Sequence, residues 1–190
     1  MPSTLWITIN AKLRPLDRGD LYEDPLQETL DAKAPGSEIG GGGTLLSAEG
    51  EPLHSDIDLQ VDGDGQAVLA LTIAGLEAAG APKGSRIRLD DGEPITFGVT
   101  EGLAVYLNGT DLPAEVYETN DVNDLIAALL EALGDEGAMQ SYWEGPRETA
   151  LYLYGPSAAH MGELIAGVLA QSPLARRCRV VPLPTTLPER

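Results

Sequence analysis

Apolar and polar residues alternate along Leu5-Trp6-Ile7-Thr8-Ile9-Asn10, which puts Leu5, Ile7 and Ile9 on one face and predicts a half-buried strand. After a polar connection over residues 15–20, Tyr22, Leu26, Leu30 and Ala34 recur at helical spacing until Pro35-Gly36 ends the run. Pro25 suits the first turn of that helix, where its missing N–H costs nothing. Gly40, Gly41, Gly42 and Gly43 then lead into Thr44-Leu45-Leu46 and read as a flexible stretch in the distorted first arm of a hairpin. Glu49-Gly50-Glu51-Pro52 makes the turn. In the second arm, residues 55–61, Ile57, Leu59 and Val61 point inward while Asp56, Asp58 and Gln60 point out. Asp62-Gly63-Asp64-Gly65 predicts a turn, residues 66–79 a helix built on Val68, Leu69, Ile73 and Leu76 and stopped by Gly80, and residues 85–89 a further strand.

The same order recurs. Leu103, Val105 and Leu107 alternate with Ala104, Tyr106 and Asn108; a helix capped by Asn120 or Asp121 buries Val122, Leu125, Ile126, Leu129 and Leu133 and stops at Gly134. Residues 139–143 and 149–154 form a second hairpin around Glu144-Gly145-Pro146-Arg147, followed by a helix over 158–169 and a strand over 179–183. The Pro- and Thr-rich tail from 184 to 190 predicts a frayed end. The expected architecture is therefore α+β: two tandem ferredoxin-like βαββαβ units, residues 1–97 and 98–190, each a four-stranded antiparallel sheet with two helices on one face. Residues 95–101, flanked and punctuated by Gly92, Pro94, Gly98 and Gly102, are the expected junction.

Charge narrows the partners. The formal net charge is -18, with 17 acidic and 7 basic side chains in residues 1–99 and 13 and 5 in the remainder, so the negative field covers both halves. Such a field repels nucleic acid and anionic lipid. Met1 to Trp6 lacks the basic region of a signal peptide, and no run reaches the ~20 apolar residues of a membrane span. A single cysteine, Cys178, suits a reducing compartment and predicts a cytoplasmic protein; nine Arg against three Lys hint at GC-rich bacterial coding.

Candidate chemistry is sparse, and neither a metal nor a cofactor is expected. The glycine run has no following helix N-terminus or nearby Lys or Arg to make a phosphate cradle, its neighbours being Glu38 and Glu49. The Asp62–Gly65 turn lacks the glycine and glutamate that an EF-hand loop needs. His54-Ser55-Asp56 is no triad, because adjacent strand residues face opposite ways. His160 has no second His or Cys to complete a metal set, and Cys178 lies between Arg177 and Arg179 with no His close in sequence. Tyr106, Tyr152 and Tyr154 share the sheet face away from the helices, where they are expected either to be covered or to form an aromatic patch with an acidic rim.

Gly41-Gly42-Gly43-Thr44, then Gly50-Glu51, Asp56-Ile57-Asp58 and Ala81-Pro82-Lys83-Gly84-Ser85, together with the acidity and small size, give a chain that resembles bacterial immunity proteins, which neutralise cognate toxins. That resemblance implies a non-enzymatic protein-binding module whose acidic surface occludes a basic, nucleic-acid-directed toxin domain and speeds association through complementary charge. The residues expected to make the contact are Glu49, Glu51, Asp56 and Asp58 in the first half and Tyr106, Tyr152 and Tyr154 in the second. The alternative is a regulatory module that binds a small effector, at Gly40–Gly43 or at the junction; an enzyme using the clustered carboxylates is a third, less supported reading.

Overall fold

The computed structural model describes residues 3–188. They form an α+β protein with two antiparallel sheets, divided into two compact units: residues 3–47, 52–100 and 184–188 in the first, and Ala48–Glu51 with Glu101–Leu183 in the second.

In the first unit β1 (Ser3–Ile9) is followed by a short helix α1 (Pro15–Arg18), which continues through a π turn at Gly19–Glu23 into α2 (Asp24–Lys33). The polar connection expected over residues 15–20 is therefore helical. Then come β2 (Glu38–Leu46), β3 (Pro52–Val61), α3 (Gly65–Ala78), β4 (Ser85–Leu89) and β5 (Ile95–Phe97), and the sheet order is β2-β3-β1-β4-β5. Alternation works as expected: Leu5, Ile7, Ile9, Ile57, Leu59 and Ile87 are buried, as are Leu26, Leu30 and Leu76 of α2 and α3. Asp64 caps α3 by accepting from the N–H groups of Gln66 and Ala67, and Gly80 leaves the helix at φ 84, a conformation that costs glycine little. Residues 95–97, expected within a bare junction, hydrogen-bond to β4 as an edge strand.

The second unit runs β6 (Glu101–Asn108), α4 (Ala114–Thr119), α5 (Val122–Leu133), β7 (Ala138–Glu144), β8 (Glu148–Gly155), α6 (Ala158–Gln171) and β9 (Arg179–Pro182), with sheet order β7-β8-β6-β9. Leu103, Val105, Leu107, Leu151 and Leu153 of the sheet pack against Leu125, Leu129 and Leu133 of α5 and Met161 and Ile165 of α6. Burial on this scale stabilises by about 1.5–3 kcal/mol per large apolar side chain. Asp121 caps α5 through the N–H of Asn123, and Gly134, at φ 52, ends it.

Two features depart from a simple repeat. The hairpin tip 48–51 clusters with the second unit, and the C-terminal segment from Pro184 clusters with the first. Among its described residues this segment is anchored, not frayed: Asn10 donates from Nδ2 to the carbonyls of Lys83 and Pro184, both at 2.8 Å, and Leu187 is 8 % exposed. The last two residues of the expected frayed tail lie outside the described residues.

Candidate functional site

The strand register assembles a mixed-charge groove on the first sheet, on the face away from the helices. Trp6 of β1 stands opposite Asp58 of β3 and Arg88 of β4; Thr8 stands opposite Asp56 and Arg86. A column of carboxylates thus lies on one side of β1 and a column of guanidinium groups on the other. With neighbouring strands about 4.8 Å apart, the backbones that carry the two columns are separated by about 9–10 Å. The groove has a volume of ≈ 900 Å³ and is also bounded by Gly43, Leu45 and His54.

Each wall has a local cause. Thr8 Oγ1 donates to Asp56 Oδ1 at 2.6 Å, orienting that carboxylate across the sheet. The Arg88 guanidinium lies 5.9 Å from the centroid of the Trp6 ring, within reach of a cation–π attraction, and Trp6 keeps 43 % of its surface exposed. Arg86 donates from Nη2 to the main-chain oxygen of Leu187 at 2.9 Å, so the C-terminal segment closes the arginine end.

The glycine run belongs to the irregular first arm of the hairpin, as expected, but it is paired strand and not a flexible loop. Gly40, Gly41, Gly42 and Gly43 all lie inside β2, and a register shift between Ile39 and Gly41 places the bulge at the start of the run. Glycine is required at Gly42, where a Cβ would come within 2.5 Å of the Asp56 carbonyl oxygen and 3.1 Å of Glu23. There Arg18 and Glu23, paired at 2.7 Å with side chains 12 % and 20 % exposed, press onto the opposite face of the strand. At Gly43 a Cβ would meet nothing within 4 Å, and that residue lines the groove.

Tyr106, Tyr152 and Tyr154 do share one face of the second sheet, but they form no exposed patch: their exposures are 8 %, 0 % and 3 %. Glu51, expected as a surface contact, is the reason two of these phenols tolerate burial. Its Oε1 accepts from Tyr106 at 2.6 Å and from Tyr152 at 2.8 Å. Burial first, and then this bond, push both phenols above their ordinary value of 10.0. Arg179 covers the Tyr106 ring at 4.3 Å and pairs with Glu148 at 2.7 Å, a bond that raises its own pKa further. The Tyr154 ring lies over Gly102, where a Cβ would approach it to 2.8 Å.

The seven residues expected to make one contact surface are therefore divided. Asp56 and Asp58 meet in the groove, Glu49 is exposed at the hairpin tip, the three tyrosines are buried, and half-buried Glu51 bonds two of them. Sequence reasoning missed Trp6, Arg86 and Arg88. The signal was present in Arg86-Ile87-Arg88, whose alternation puts both arginines on the face opposite buried Ile87. Cys178 is half-buried, and burial pushes its thiol up, away from the reactive thiolate. Among the described residues no group of three or more His, Cys, Asp or Glu side chains is placed to hold a metal ion, and no helix is long and apolar enough to cross a membrane.

No family model matches the chain, and no curated protein matches it in sequence. Among solved structures it is similar to a proposed glycine cleavage system transcriptional repressor, at 9 % identity over 96 % of both chains with a TM-score of 0.32. It is also similar to the ligand-free regulatory subunit of aspartate kinase from Thermus thermophilus, at 10 % identity over 90 % of this chain and 93 % of that one, TM-score 0.29. A proposed monooxygenase from Fusobacterium nucleatum subsp. nucleatum matches at 9 % identity over 96 % and 91 %, TM-score 0.33. Likenesses this distant leave the function to be argued from the groove itself.

Proposed function

We propose that this protein is a regulatory, non-enzymatic binding module that takes a small effector molecule in the groove on the open face of its first sheet. The observation that carries the reading is the groove: a concavity within the size range of small-molecule sites, with a half-exposed tryptophan between opposed charges on separate strands. Its polar groups are few and held by the sheet, which favours orienting a ligand over reshaping one. The strand orders β2-β3-β1-β4 and β7-β8-β6-β9 support reading the chain as two tandem split βαβ units, the first extended by β5.

The test is thermal unfolding of the full chain against a panel of metabolites, run beside the double variant Asp58→Asn plus Arg88→Gln. A ligand that raises the wild-type midpoint in a concentration-dependent way and loses that effect in the variant supports the reading. A panel with no response, or a response the variant retains, counts against it.

A second reading, capture of a basic toxin domain as by an immunity protein, is favoured by one observation, the net charge of -18. It predicts co-purification of a basic protein that is released by salt and by charge reversal at Glu49, Asp56 and Asp58. Recovery of the free chain alone from native lysate opposes it.

A further inference from the structure

We infer that the ligand of the groove is a short unblocked peptide of two or three residues, its ammonium held by Asp56 and Asp58 and its carboxylate by Arg86 and Arg88. The inference rests on the binding reading above and names the chemistry of that same site.

Charge is the first argument. A simple anion meets the carboxylate column and the negative field of the whole chain, whereas a simple cation meets two guanidinium groups. A molecule bearing one charge of each sign at its two ends satisfies both columns. Length is the second. The columns rise from backbones about 9–10 Å apart, and the Arg88 side chain leans toward β1 over Trp6, which shortens the span its partner must cover. An extended residue spans about 3.3–3.6 Å, so two or three residues fit where a single amino acid, with both charged groups on one carbon, falls short.

The third argument is what already sits there. Arg86 holds a peptide carbonyl oxygen, that of Leu187, and Pro188 also lines the groove. That bond uses one of the five N–H donors of the guanidinium, and the fork that remains matches a terminal carboxylate. At the acidic end Gly43 presents a strand without a side chain, which lets a flat main chain approach, while the exposed ring of Trp6 provides a surface for a central amide or side chain.

The experiment uses the full chain with Trp143→Phe, leaving Trp6 as the sole tryptophan, and follows fluorescence on addition of trialanine, N-acetyl-trialanine amide and alanine. Trialanine is expected to change Trp6 fluorescence saturably, with the capped peptide, which lacks both terminal charges, and the free amino acid, which reaches one column only, each at least about tenfold weaker. Arg88→Gln and Asp58→Asn are each expected to weaken trialanine by a similar factor while leaving the unfolding midpoint of the free protein nearly unchanged. Equal binding of capped and free peptide, or no trialanine response, overturns the inference. If trialanine fails but a metabolite binds and is lost in Asp58→Asn plus Arg88→Gln, the groove is a ligand site of another chemistry; if both fail, the binding reading falls with it.

Discussion

Tyr152 donates its phenolic hydrogen to Glu51 across 2.8 Å, joining residues 101 positions apart in the chain, and Tyr106 uses the same carboxylate oxygen. Two buried tyrosines therefore share one acceptor. Glu51→Ala is expected to cost about 2–4 kcal/mol, because it removes a charged acceptor from both phenols at once, whereas Glu51→Gln, which keeps an acceptor oxygen, costs less. Chemical denaturation of the three proteins measures this. Equal stability of wild type and Glu51→Ala contradicts the arrangement.

The same cluster sets an alkaline limit. Both phenols have folded-state pKa values above the ordinary 10.0, so the native state retains protons that the unfolded chain releases. Their contribution to stability is complete below about pH 10 and is lost as pH rises beyond it toward the folded-state values. Absorbance titration of the folded protein is expected to leave two of the six tyrosines un-ionised at pH 11, and unfolding midpoints should fall steeply above pH 10. Six phenols titrating together near their ordinary value contradict the prediction.

The glycine run separates into positions of different worth. Gly42→Ala drives a methyl group against the Asp56 carbonyl and the Arg18–Glu23 pair, and is expected to destabilise by about 1–3 kcal/mol. Gly43→Ala meets open space and is expected to change stability by less than about 0.5 kcal/mol. Thermal melts of the pair check the contrast, and the reverse order refutes the placement of the run in β2.

Thr72 of α3 is fully buried, and its Oγ1 has no hydrogen-bond partner among the described residues. Replacing that hydroxyl with a methyl of similar size relieves an unsatisfied donor, so Thr72→Val is expected to gain about 1 kcal/mol. A loss of stability in denaturant unfolding contradicts this.

Much of this architecture is legible in the sequence because burial imposes its period on the chain. Ile57, Leu59 and Val61 alternate against Asp56, Asp58 and Gln60, and the helix over Val122–Leu133 announces its Gly134 stop and a cap at Asn120 or Asp121, of which the structure uses Asp121. Gly40–Gly43 carry no side chains and hence no period, so a regular strand there reads as a flexible, distorted hairpin arm. Residues 114–119 form too short a helix to build a pattern, and residues 95–97 are a strand only by virtue of pairing with β4. The site was half legible for a related reason. Periodicity gives the face of each residue but not the neighbouring strand, so Asp56 and Asp58 could be found while their relation to Trp6, Arg86 and Arg88 waited for the sheet order. Nor does periodicity tell what covers a face: it put Tyr106, Tyr152 and Tyr154 together without revealing that Glu51 closes over two of them.

The most direct measurement is a titration of isotope-labelled full-length protein with a metabolite and short-peptide panel, followed through its backbone amide NMR spectrum. An effector-binding groove predicts saturable shifts confined to Trp6, Thr8, Gly43, Asp56, Asp58, Arg86 and Arg88. Saturable shifts that leave these residues unmoved, or a spectrum unchanged by every member of the panel, contradict it.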